Sequence, residues 1–124
     1  MVEKEPKICN ICGGKVIWTT HPKDESKKCY LCVNCGAYVG VHKRKPKIAL
    51  GCLANEETRK KRIEVHRLFD RFWRTQTYRN RLYKRLAFQL GIDEKECHFA
   101  KMELSMLNKA EQILLEWWRT KYDI

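Results

Sequence analysis

The sequence predicts a small α+β protein in which a cysteine-rich module of short β-hairpins, residues 1–46, packs with a three-helix region, residues 47–124, as one compact unit. Three observations predict it. Two Cys-x-x-Cys-Gly units fall in the first third, a Lys43-Arg44-Lys45-Pro46-Lys47 stretch marks a connecting loop after them, and three later stretches carry apolar residues at helical spacing. The length of 124 residues accommodates a small stapled module beside a helical one, but not two large independent cores.

The first element is the cysteine module. Cys9-Asn10-Ile11-Cys12-Gly13 and Cys32-Val33-Asn34-Cys35-Gly36 each place two residues between thiols, so that one tight turn presents both sulfurs to a tetrahedral ion. The glycine that follows each pair can take the positive φ that keeps the turn compact. Lys15–Thr20 and Ala37–Val41 read as strands after each turn. Together these features define a zinc ribbon with Cys9, Cys12, Cys32 and Cys35 around one structural Zn, the ion replacing the core that so short a segment lacks. Cys29-Tyr30-Leu31-Cys32 is a competing pair and leaves Cys29 as an alternative to Cys32 or Cys35, but only the Cys32–Cys35 pairing has a glycine behind it. Seven cysteines, six of them before residue 53, are an odd set for disulfides and suit a metal site in a reducing compartment. Cys52 and Cys97 read as small core residues, and His66 with Cys97-His98 lacks the further ligand a second site needs. His42 reads as a loop residue or a group outside the metal's own ligands.

The helices follow. Asn55 is an N-cap for a helix to about Arg74, with Glu56 and Glu57 at its positive end. Steps of about 100° put Val65, Leu68, Phe69, Phe72 and Trp73 on one face and Lys60, Arg67, Arg71 and Arg74 opposite. Thr75 or Thr77 caps a second helix with an apolar stripe of Leu82, Tyr83, Leu86, Ala87 and Leu90, and Gly91 ends it. Asp93 and Glu96 suit a capping box for a short turn. A last helix from about Ser105 buries Met106, Leu107, Ala110, Ile113, Leu114 and Trp117, while Leu115, Trp118 and Tyr122 widen its apolar arc into a candidate partner interface.

Charge points to an anionic partner. The chain holds 26 Lys and Arg against 15 Asp and Glu, a net charge of +11, and residues 59–85 alone carry eleven cations and two anions. Lys60, Arg67, Arg71 and Arg74 on the first helix, and Arg81, Lys84 and Arg85 on the second, are the candidate nucleic-acid-binding residues. Tyr78 and Phe88 among the latter suit base stacking or helix-edge packing, and Glu64 and Asp70 stand at helical spacing to pair with Lys60, Arg67 and Arg74. No Ser-His-Asp, Cys-His or phosphate-cradling motif is present and the carboxylates are dispersed, so neither an enzyme nor a small-molecule substrate is expected. The start lacks a signal peptide's apolar stretch and no run approaches a spanning helix, which excludes a membrane partner and implies the cytoplasm.

The order of motifs carries a resemblance. The run Cys32–His42, then Leu50-Gly51-Cys52-Leu53-Ala54-Asn55, His66–Trp73, Tyr83–Ile92 and Cys97-His98-Phe99 is similar to a family of small zinc-finger-containing proteins of bacteriophages and prophages. It covers most of residues 9 to 110. The resemblance implies a zinc ribbon followed by helices, a phage setting and action in the bacterial host cytoplasm; it implies no biochemical activity. Two functions are therefore expected in turn: binding of DNA or RNA through the basic helical face, mainly at phosphates, and docking on a host nucleic-acid-processing or defence machine, or self-association, through the last helix.

Overall fold

The structure, a computed structural model, describes residues 3–120. Three strands, β1 (Val16–His21), β2 (Asp24–Cys32) and β3 (Tyr38–Gly40), form an antiparallel sheet in the order β1-β2-β3. Helices α1 (Glu56–Asp70), α2 (Gln76–Leu90) and α3 (Leu104–Arg119) follow, with two short 3₁₀ turns between α2 and α3. This is the α+β ribbon-plus-helices class that the sequence predicts. Among the described residues no helix is long and apolar enough to cross a membrane.

The chain divides into two compact units, one running to Arg59 and the other from Lys60 onward, with the division inside α1. It therefore falls later than residue 46. The reason is that the stretch after the basic loop is knitted into the ribbon: Ala49 and Leu53 are buried in its apolar cluster, and Ala54 and Ala49 form isolated bridges to Tyr38 and Val41. Asn10 clamps the backbone of Leu53 from both sides, its amide donating to Leu53 O at 3.0 Å and its carbonyl accepting from Leu53 N at 2.9 Å. Arg59 closes the unit by lying 3.3 Å from the Tyr38 ring centroid and donating to Tyr38 O and Ala54 O.

Strand β2 is the element without a sequence signal. Its first half, Asp24-Glu25-Ser26-Lys27-Lys28, has no apolar alternation, yet it pairs with β1 from His21↔Asp24 to Val16↔Cys32. A short turn closes the hairpin, tightened by Asp24 Oδ1, which accepts from both Ser26 N at 3.0 Å and Ser26 Oγ at 2.7 Å. Pairing with β1, rather than local propensity, makes this polar segment a strand; β3 pairs only with Cys29–Leu31 further along β2.

Along the helices the capping chemistry is local and reads true. Asn55 Oδ1 accepts from Thr58 N at 2.9 Å to open α1, Thr75 Oγ1 accepts from Tyr78 N at 3.2 Å to open α2, and Gly91 ends α2 with φ of 72°. Asp93 caps the first 3₁₀ turn through Lys95 N at 3.0 Å. Helix α1 stops at Asp70 rather than Arg74, because Phe72 N turns back to Phe69 O and Trp73 Nε1 donates to Asp70 Oδ1 at 2.9 Å. The core joins Val65, Phe69 and Phe72 to Leu82, Leu86, Leu107, Leu114 and Trp117, with Phe99 and Met102 from the connecting turns. Cys97 is buried in it as expected, and the apolar surroundings push its thiol up to about 11.

Candidate metal centre and cationic surfaces

The two cysteine turns are near copies of each other. Gly13 N donates to Cys9 O at 2.9 Å and Gly36 N to Cys32 O at 3.0 Å; Cys9 N donates to Gly14 O and Cys32 N to Ala37 O, both at 2.8 Å. Gly13 and Gly36 take φ of 77° and 79°, the left-handed conformation that a side chain resists. Backbone N–H groups turned inward by this folding point at sulfur: Ile11 N at Cys9 Sγ, Gly14 N at Cys12 Sγ and Cys35 N at Cys32 Sγ, at 3.3 to 3.4 Å. Each such donor favours the thiolate that binds metal.

The four sulfurs of Cys9, Cys12, Cys32 and Cys35 lie within 4.8 Å of one another, with Cys9–Cys35 at 3.7 Å and Cys12–Cys32 at 3.5 Å. A Zn–S bond of about 2.3 Å in a tetrahedron separates sulfurs by about 3.8 Å, so the cluster fits one zinc ion. Cys9 and Cys32 are buried, Cys12 and Cys35 exposed. The charge balance needs the cation. The Asn34 amide and Gly14 N–H hold Cys12 down to about 6, whereas at Cys35 the lowering effect of the Ala37 N–H is outweighed by burial and the neighbouring sulfurs, which push it up to about 12. Four crowded thiols cannot all ionise unaided; a divalent ion bound among them makes that possible.

Cys29 is excluded from the shell. It is fully buried, and its sulfur faces Thr20 O at 3.7 Å. Among the described residues the four ribbon cysteines are the one cluster suited to a metal, and His66 is engaged instead with Asp70, 3.2 Å away. Two contributors are not evident from the spacing. Asn34 donates to Cys12 Sγ at 3.4 Å, and Gly14 sits where a Cβ would come within 2.7 Å of Asn34 Cβ and 3.0 Å of Cys32 Sγ. The double glycine after Cys12 is the sequence signal that could have revealed this close approach.

A closed shell of four thiolates at the head of a small sheet, followed by a helical unit, defines a zinc-finger protein whose ion is structural. The chain belongs to the zinc-finger-containing domain family, whose model matches residues 5–117. No curated protein and no solved structure matches it significantly.

The cations of residues 59–85 sort into two groups. Arg59, Lys61, Arg62 and Arg79 turn inward: Arg59 to the ribbon carbonyls, Lys61 to Glu111 at 3.1 Å, Arg62 to Met102 O at 3.0 Å, and Arg79 over the Tyr83 ring at 4.7 Å. The rest, Lys60, Arg67, Arg71, Arg74, Arg81, Lys84 and Arg85, are all exposed. The expected pairing of Glu64 and Asp70 with Lys60, Arg67 and Arg74 is replaced by other partners, Lys61 for Glu64 and His66 for Asp70. Arg71 and Arg74 lie in the turn after α1, so the cationic row continues off the helix.

On α2 the spacing of Arg81, Lys84, Arg85 and Phe88 places all four on one face, and Phe88 is 85% exposed. Tyr78, by contrast, packs partly against the core, with Arg81 6.0 Å from its ring centroid. On α3, Leu115 is 41% and Trp118 49% exposed, and Trp118 meets the Phe72 ring edge-on at 6.0 Å. Tyr122, the third residue of the expected interface, lies outside the described residues.

Proposed function

We propose that this zinc-finger protein is a non-catalytic nucleic-acid-binding protein that uses the exposed cations of α1, α2 and the turn between them, chiefly at phosphates. The observation that carries the reading is the row of Arg81, Lys84 and Arg85 around a nearly fully exposed Phe88. A large aromatic left in water costs burial free energy, and among cations it is suited to stacking on an unpaired base. The seven exposed cations support the same reading, because they repel one another until an anionic polymer lies across them. A zinc shell with four protein ligands leaves no open position for a metal-bound water, which favours binding over catalysis. The phage setting and the host cytoplasm enter through the resemblance of the motif order.

A second reading has its own observation. Leu115 and Trp118 keep about half of their surface on α3, which favours docking on a host protein or self-association. The two separate in one experiment: binding of the zinc-loaded protein to single-stranded DNA, duplex DNA and RNA across a salt series. Alanine at Lys60, Arg67, Arg71 and Arg74 should make the dependence of log affinity on log salt shallower by about 3 for four phosphate contacts. Phe88→Ala should cost about 1–3 kcal/mol on single strands and little on duplex. Absence of binding to all three ligands near physiological salt would sink the nucleic-acid reading and favour the α3 surface, where Leu115→Asp would then abolish partner binding.

A further inference from the structure

The ribbon unit holds cations of its own. Lys43, Arg44, Lys45 and Lys47 follow β3 with no acid among them. The loop they occupy is fixed to the sheet: Trp18 Nε1 donates to Pro46 O at 3.0 Å, the Tyr30 hydroxyl donates to Lys47 O, and His42 N donates to Ile48 O at 3.0 Å. The Lys28 and Lys47 ammonium groups stand 5.1 and 4.5 Å from the Trp18 ring centroid. Two large aromatics thus hold a strongly basic loop in one shape, which lowers the ordering cost of binding an anion there.

Between this loop and β2 lies a groove of about 580 Å³, whose lining includes the apolar Val41, Pro46 and Leu50 together with Lys28, His42 and Lys43. Lys27 also borders it but is paired with Asp24 at 3.8 Å. The volume lies in the range that holds a nucleotide-sized ligand. A second groove of about 500 Å³ shares His42 and Lys43 and adds Lys4, Arg44, Lys45 and Ile48. The first groove is not a bare anion site, because three apolar residues line it beside its cations, whereas the second is mainly cationic with Ile48 its one apolar lining residue.

We propose that the grooves meeting at His42–Lys43 bind successive nucleotides of a single strand, a base against Val41, Pro46 and Leu50 and its phosphate at Lys28 and Lys43. A groove that pairs apolar residues with cations, continued by a mainly cationic one, matches a polymer whose apolar bases are joined by anionic phosphates. The proposal rests on the reading that this protein binds nucleic acid, but on residues in the other unit, so the two fail separately.

The test is titration of isotope-labelled, zinc-loaded full-length protein with short oligothymidylate, thymidine monophosphate or inorganic phosphate, followed by amide chemical shifts. Oligothymidylate should move Ser26, Lys28, Gly40, Val41 and Leu50, and should still do so when Lys60, Arg67, Arg71 and Arg74 are alanine. Lys28→Glu with Lys43→Glu should weaken this response at least about tenfold and make the salt slope shallower by about 1.4, for two phosphate contacts on a single strand. Zinc content should stay at one equivalent, and Lys28→Gln with Lys43→Gln serves if charge reversal disturbs it. Thymidine monophosphate moving the same amides at millimolar concentration supports the nucleotide chemistry and points to free nucleotide as a second source. Phosphate reproducing those shifts at equal concentration overturns the base contact. Groove amides that stay still while α2 amides move overturn the proposal and leave the helical reading standing.

Discussion

The two units solve the same problem by different physics. In the ribbon unit the apolar cluster is small and counts two metal ligands, Cys9 and Cys32, among its members. The helical unit instead interlocks aromatic rings and leucines, Phe69 lying 4.3 Å from Tyr83 and 5.5 Å from Phe99 between centroids. One unit is organised by a bond network to an ion, the other by removing apolar surface from water. Short segments with polar strands gain little from burial, so the ion must supply what area cannot.

Metal removal should break the molecule along this line with the largest effect of all. Structural zinc contributes on the order of 10 kcal/mol in small Cys-ligated modules. A strong chelator is therefore expected to collapse the dispersed amide signals of residues 8–54 while the helical circular-dichroism signal of α2 and α3 persists. Loss of both signals together would show that the two units share one stability. Next in size is Phe69→Ala, which empties a fully buried site and should cost about 3–5 kcal/mol. Thermal melts should register it in the helical signal, with bound zinc unchanged; loss of zinc in this variant would contradict the separation. The smallest effect sharpens the comparison inside the ribbon. Asn10→Ala deletes the two-point clamp on Leu53 and should cost about 1–2 kcal/mol, the net worth of two hydrogen bonds. Faster hydrogen exchange at the Leu53 amide, with α3 unaffected, would be its signature.

What could be read from the sequence follows the range of the interaction. The ligand set was legible because the cysteine turns are local devices in which spacing and glycine state the geometry, and the structure places Cys29 outside the shell accordingly. Caps at Asn55 and Gly91 were legible for the same reason, with Thr75 one of two candidates, as were the buried residues of all three helical stretches. Strand β2 was not, since Asp24–Lys28 becomes a strand only through its neighbours. The ribbon's true extent was hidden too, because it depends on Asn10 reaching Leu53 and Arg59 reaching Tyr38 across long stretches of chain. At Glu64 and Asp70 the helical spacing allowed several partners, and Lys61 and His66 are the ones that pair.

The unequal exposure of the four cysteine residues sets an order of events in time. Cys12 and Cys35 face solvent, whereas Cys9 and Cys32 are sealed at 3% and 1% exposure. An incoming chelator or an acceptor apoprotein meets the outer pair first and can take over those two bonds one by one while the inner pair still holds the ion. Zinc exchange is therefore expected to be a stepwise hand-over from the outer pair, with a rate that rises with competitor concentration; a rate independent of the competitor would instead mean that the whole ribbon must open first.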